Sequence, residues 1–294
     1  ISKGTVAVIN DPHEIANVLG IEGIRFMIEN SWKAPIKIFF SVPSCVPATS
    51  FDYSGAEINS DHIEELLQNY SFVSLSEMMN ISGVLQKDAE VWRKLKLAEK
   101  YNALTYVDDA HGSGVMGSHG RGTVDHFGLH DKVDFVIGTL SKAIGVKGGY
   151  VACNEVAYEW LNHRARPVLF STTLSPGDTA ACIASVEKLI ESDELQKKLW
   201  DNAKYFKEQL GKLGFNTGHS ETPITPVIIG DEAKTMEFSK KLREYGVFGS
   251  AIVFPTVPRG TGRIRCMISA AHSKEELDKA VKAFELAGKD MGIL

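Results

Sequence analysis

The chain has 294 residues, of which 44% are hydrophobic and 23% charged, and a formal net charge of -5 at pH 7. That mildly acidic balance excludes the positive field of a nucleic-acid binder and the polybasic run of a membrane-surface protein. No apolar run reaches the ~18 residues of a membrane span. The N-terminal residues do not have the pattern of a signal peptide, and Cys45, Cys153, Cys182 and Cys266 lie far apart without CxxC spacing. Reduced thiols in a cytoplasmic protein are therefore expected.

Residues 1–96 alternate between strand and helix patterns. TVAVIN (5–10) is β-rich and ends at Asp11-Pro12, a turn or cap signal. The helical spacing of Ile15, Val18, Leu19, Ile24, Met27 and Ile28 predicts a helix after it. IKIFFSV (36–42) reads as a buried strand, 60–69 as a helix capped by Ser60, SFVSLSEM (71–78) as a third strand and 88–101 as a helix. Such β/α repetition makes parallel pairing the default. Two further apolar runs follow, ALTYV and DFVIGTL, then a strand in GGYVACN. Helices are predicted over 154–168, 178–192 and 194–213, with a hydroxyl-rich turn at 169–176. The last third carries short strands in ITPVIIGD, VFGSAIVFP and RIRCMISA between amphipathic helices, the final one capped by Ser273 with Glu276 at the third helical position. This rhythm predicts a smaller α+β domain, and its boundary is expected within 178–215.

The chemistry concentrates between Tyr106 and Gly149. ALTYV ends at Asp108, Asp109 and His111, and DFVIGTL ends at Ser141 and Lys142. Open α/β sheets bind ligands at the C-terminal ends of their strands. Taken singly, Lys142 fits a solvated strand end, Asp108 a turn and His111 a structural imidazole. Together, strand–Asp108-x-x-His111 followed by strand–Thr139-x-x-Lys142 is the layout of a pyridoxal 5'-phosphate (PLP) site. There a carboxylate keeps the pyridine nitrogen protonated and a lysine holds the aldehyde.

The segments LAEKYNALTYVDDAHGSGVMGSHGRGT, GTLSKAIGVKGGY, RPVLFSTTLSP, SETPITPVIIGDE and RIRCMISAAHSKEELDKAV run in order through residues 97–294. This stretch resembles the α-oxoamine synthase family of fold-type I PLP enzymes, in particular its glycine C-acetyltransferase branch, with 8-amino-7-oxononanoate synthase next. The resemblance implies that Lys142 carries the cofactor and acts as base at the substrate Cα. It also implies that Asp108 pairs with the pyridine nitrogen and that His111 contacts the ring's phenolic oxygen. Thr139, Ser171 and Thr172 are implied near the phosphate, and Arg265 on the amino-acid carboxylate. Glycine and an acyl-CoA are the implied substrates, and the implied assembly is a homodimer.

KGTVAVINDPHEIANVLGIEGIRFMIENS, FFSVPSCVPATSFDYSGAEI and SLSEMMNISGVLQKDAEV instead resemble an interior piece of adenine deaminase, a metal-dependent amidohydrolase with a TIM-type barrel. That resemblance implies Glu77 as a relic metal ligand. Glu77 with His13 and Glu14 nearby is too few ligands for a working metal site, so no metal is expected. Nor do residues 1–96 supply the phosphate loop and stacking histidine that an oxoamine synthase brings.

The expected architecture is thus α/β, a mixed and mostly parallel sheet of the fold-type I large domain plus a C-terminal α+β domain. The first large-domain strands are expected to be replaced by β/α units of a barrel. The expected segments are 1–96, 97–190 and 191–294, with a join near 90–98. The expected activity is PLP-dependent acyl-CoA:amino acid C-acyl transfer. The alternatives are an inactive hybrid and an adenine deaminase-like hydrolase.

Overall fold

The structure, a computed structural model, describes residues 7–49, 52–165, 168, 170, 172–254 and 256–294. The chain forms two compact units, Ile1–Leu104 and Thr105–Leu294.

In the first unit, β1 (Ala7–Asn10), β2 (Lys37–Val42) and β3 (Ser74–Leu75) form a parallel sheet in the order β1-β2-β3. Helices α1 (His13–Ser31), α2 (Ser60–Asn69), α3 (Ile81–Leu85) and α4 (Ala89–Lys100) accompany it. The core holds Ile24 of α1, Phe40 and Val42 of β2, Ile63 and Leu66 of α2 and Leu97 of α4, whereas Val18 and Leu19, also part of the spacing that predicted α1, are exposed. The third strand is shorter than the 71–78 expected. Its flanks still bond to β2, with Val73 N–H donating to Phe40 and Ser76 N–H to Val42.

The α2 cap is Asn59, not Ser60. The Asn59 side chain accepts the His62 N–H at 2.9 Å, while Ser60 is turned toward the Glu90 carboxylate. Asparagine and serine cap equally well, so composition alone does not rank the two neighbours. Lys94 of α4 is buried, and its ammonium donates to the carbonyls of Ser44 and Ile58. Burial lowers its basicity.

The second unit opens with β4 (Tyr106–Asp108), parallel to β5 (Phe135–Thr139), which pairs antiparallel with β6 (Gly149–Cys153). Helices α5 (Thr123–His126), α6 (Glu155–Arg164), α7 (Pro176–Glu191) and α8 (Glu194–Leu213) follow. α6 is shorter than the 154–168 expected. α7 starts earlier than residue 178 because the Ser175 hydroxyl caps it, accepting the Asp178 N–H at 3.1 Å.

The C-terminal part is an antiparallel sheet, β7 (Ile224–Gly230), β9 (Gly262–Met267) and β8 (Ser250–Ile252), in the order β7-β9-β8. Helix α9 (Glu232–Glu244) and helix α10 (Lys274–Asp290) accompany it. The capping box expected at Ser273 forms: the Ser273 N–H donates to Glu276 at 2.8 Å and the Glu276 N–H to Ser273 at 3.2 Å. This α+β layer closes over Phe206, Phe215, Phe238 and Phe284, whose rings meet at centroid distances of 5.7–5.9 Å. All four cysteines are free. Cys45 and Cys266 are buried, and burial pushes the Cys266 thiol up to about 12.

Two substitutions in this layer are expected to act in opposite directions. Phe284→Ala, at a position 1% exposed in the aromatic cluster, costs about 3–5 kcal/mol. Thr225→Val, at a fully buried hydroxyl without a hydrogen-bond partner among the described residues, is neutral or stabilising. Urea denaturation of both variants checks the pair.

Candidate active site

β4 and β5 run parallel, so their C-terminal ends open on the same edge. The register sets Asp108 opposite Ile137, and the Asp109 N–H extends the ladder by donating to Ile137 at 2.8 Å. Past β5 the chain turns back on itself. Leu140 N–H donates to Gly148 and Val146 N–H to Leu140, which leaves Lys142 on the exposed outside of the turn. Its ammonium donates to the Thr139 hydroxyl at 2.9 Å.

Asp108 accepts the Ala110 N–H at 2.9 Å, and its carboxylate makes no other hydrogen bond among the described residues. His111 follows three positions on. Its basicity is lowered from the ordinary 6.5 by partial burial, then by the positive charges of Lys142 and Arg265, with Asp108 acting in the opposite sense. The same carboxylate, with burial as the larger cause, raises the Tyr106 phenol. Arg265 lies on β9 between Pro226 of β7 and Ser250 of β8, exposed and without a carboxylate partner among the described residues.

Lys142, Arg265 and Asp108 thus each act on His111, and Thr139 is tied to Lys142. Thr172 is exposed in the coil before α7, and Ser171 lies outside the described residues. Glu77 is exposed in the first unit, where its carbonyl, not its carboxylate, accepts a bond from Ser44. His13 is buried and paired with Asp11 at 2.6 Å. Among the described residues no group of three His, Cys, Asp or Glu side chains is placed to hold a metal.

Sequence reasoning gave no role to the groups that shape the 109–123 loop. Asp109 is 2% exposed and binds Thr123. Ser113 bonds the Tyr150 hydroxyl at 2.8 Å, and Gln196 and Trp200 of α8 both donate to the Val115 carbonyl. Strand alternation was the available signal for Asp109. Of two successive carboxylates at a strand end, one must turn away from the other's face.

The sequence profile of the aminotransferase class I and II family matches residues 45–284. The chain belongs to this family. It is 57% identical over 245 residues to an 8-amino-7-oxononanoate synthase of Alkaliphilus oremlandii, covering 82% of this chain and 62% of that protein. It is 59% identical over 235 residues to an 8-amino-7-oxononanoate synthase of Treponema denticola, covering 79% of this chain and 58% of that protein. The chain therefore spans about three-fifths of the length of these curated relatives.

A solved structure of SPT with its PLP internal aldimine superposes with a TM-score of 0.66 at 25% identity, covering 98% of this chain and 68% of that one. The fold is that of fold-type I PLP-dependent transferases, as expected. The family match begins at residue 45, well inside the stretch read as a barrel fragment. The comparisons give no support to an adenine deaminase fragment or to a chimera joined near 90–98. Short β/α units are alike enough between folds that local resemblance does not distinguish a barrel segment from an open-sheet one. Among the described residues, no helix is long and apolar enough to cross a membrane.

The electrostatics predict the titration of His111. Its ring is expected to titrate below 6.5, and Lys142→Met or Arg265→Met is expected to raise the midpoint toward that value. NMR titration of the His111 ring protons checks both. A midpoint unmoved by either substitution would contradict the placement.

Proposed function

We propose that this chain is a PLP-dependent acyltransferase of the α-oxoamine synthase type, joining the Cα of an amino acid to the acyl group of a thioester. The observation that carries the reading is the delivery of an amine and a carboxylate, Lys142 and Asp108, to one edge of a parallel strand pair in a chain of this family. The residues fit the group. Lys142 offers a primary amine whose hydrogen bond is to a neutral hydroxyl, and Asp108 offers a carboxylate with bonding capacity to spare.

When bound, PLP supplies an electron sink for the carbanion formed at the substrate Cα. In the proposed assignment Lys142 holds the cofactor's aldehyde and moves the Cα proton. Asp108 keeps the pyridine nitrogen protonated, and its charge favours that state. His111, its basicity lowered by partial burial and then by Lys142 and Arg265, donates or accepts at the ring's phenolic oxygen. Thr139, Ser171 and Thr172 take phosphate oxygens, and Arg265 binds the amino-acid carboxylate through its planar fork.

For the substrate, the relatives' names favour the 8-amino-7-oxononanoate branch over glycine C-acetyltransferase. A nonanoate bearing an amine and a ketone on adjacent carbons is what C-acylation of an amino acid by a carboxyl-ended acyl group leaves after loss of carbon dioxide. A carboxyl-ended acyl thioester is therefore the proposed donor, and glycine with acetyl-CoA the pair it must outcompete. A homodimer is the proposed assembly.

Two measurements test this reading. PLP added to the protein is expected to give an absorbance band at the edge of the visible that Lys142→Ala abolishes and Asp108→Asn weakens. A band indifferent to Lys142→Ala would defeat the assignment. In turnover assays, preference for acetyl-CoA with glycine over the carboxyl-ended donor would return the chain to the other branch.

A further inference from the structure

The loop that carries His111 is held by backbone bonds of its own, among them Gly114 N–H to Gly120 and Gly122 N–H to Met116, and by one buried carboxylate. It is rich in glycine, runs from the end of β4 to the start of α5, and contains one 3-10 turn, Ser118–Gly120. Its first half closes on the Asp109 carboxylate, whose two oxygens accept the Thr123 N–H at 3.1 and 3.2 Å. The Thr123 hydroxyl adds a bond at 2.5 Å, and the Ser113 hydroxyl lies 3.4 Å away. The backbone is wrapped tightly around this group. A Cβ at Gly122, where φ is 99°, would stand 1.8 Å from one carboxylate oxygen, and a Cβ at Gly112 would stand 2.0 Å from the other.

We propose that Asp109 is a positioning residue. Its buried carboxylate, bound to Thr123, ties the two ends of the 109–123 loop together and so fixes where His111 stands relative to Lys142 and Arg265. The inference rests on the PLP reading for its catalytic consequence, but not for the placement of His111, which is a property of the chain alone. Three features support it. Asp109 is nearly inaccessible, so its charge does not serve the substrate. Its acceptor capacity is spent on a residue fourteen positions on, which is the geometry of a loop clasp. Charge-assisted bonds to a buried carboxylate are also the stronger class of hydrogen bond, suited to holding a segment without apolar packing.

Asp109→Asn keeps the shape but loses the charge and one acceptor. Thr123→Val removes the hydroxyl donor and keeps the volume, and Thr123→Ser restores the hydroxyl. The first readout is the NMR titration of His111 without cofactor. Its midpoint is expected to rise toward 6.5 in Asp109→Asn and in Thr123→Val as the ring loses its partial burial and its cationic neighbours, and to remain at the wild-type value in Thr123→Ser. The second readout is turnover with PLP, expected to fall about a hundredfold in the first two variants and to recover with Thr123→Ser.

A His111 midpoint unchanged in a folded Asp109→Asn or Thr123→Val protein overturns the proposal. So does a Thr123→Ser variant that behaves like Thr123→Val. Should Asp109→Asn fail to fold, the Thr123 pair decides alone. A wild-type protein that forms no Lys142-dependent band with PLP defeats the functional reading instead, while the His111 titration still decides the placement.

Discussion

The parallel pairing of Tyr106–Asp108 with Phe135–Thr139 is the constraint on which the site depends. Because the strands run the same way, Asp108 and the turn that bears Lys142 emerge at one edge. Were the pair antiparallel about the same register, the end of β5 would lie at the opposite end of β4, about 15 Å away over a five-residue strand at ~3.3 Å per residue. No side chain in the site spans that gap. The antiparallel return of β6 along β5 then closes the 140–148 turn from both sides and holds Lys142 at its tip.

Charge is organised around that edge. Lys142 and Arg265 both act on His111, and Asp108 is the anion that acts on it in return. These groups are exposed, so their mutual energies are modest and screened by salt. What they change is protonation. Partial burial and then the two cations lower the basicity of the His111 imidazole. The Arg265 guanidinium is exposed and has no carboxylate partner among the described residues.

Much of this was legible in the sequence. Two apolar runs ending in Asp108 and Lys142 announce strand ends, whereas the burial of Asp109 was not read although period-two alternation carried that signal. The helices between them follow from apolar spacing and from caps such as Ser273 and Glu276. Arg265 was not legible from local pattern. It stands mid-strand on β9, and its relation to His111 depends on how the C-terminal layer folds back, which spacing does not encode. The reading of residues 1–96 as a barrel fragment finds no support in the family match, which begins at residue 45. A strand–helix–strand segment carries the same alternation whether its sheet is open or closed.

The distribution of the core shows what kind of rigidity the site has. The C-terminal layer is closed by four phenylalanines and the aliphatic residues around them. The sheet that carries Asp108 is different, since Tyr106, Tyr150 and Val151 on its strands are exposed. A loop resting on such a sheet gains little from apolar burial, at roughly 25 cal/mol per Å² of area removed from water. It must be held by polar bonds instead, each worth about 0.5–1.5 kcal/mol net, or about 1.5–3 kcal/mol where a charge takes part. The Asp109–Thr123 clasp inside the loop and the Gln196 and Trp200 bonds outside it are of this kind. Such ties are directional, so they define His111's position while leaving the surrounding surface open to substrate. A site held this way is sensitive to the loss of single polar groups remote from the chemistry and tolerant of changes in the apolar residues around it.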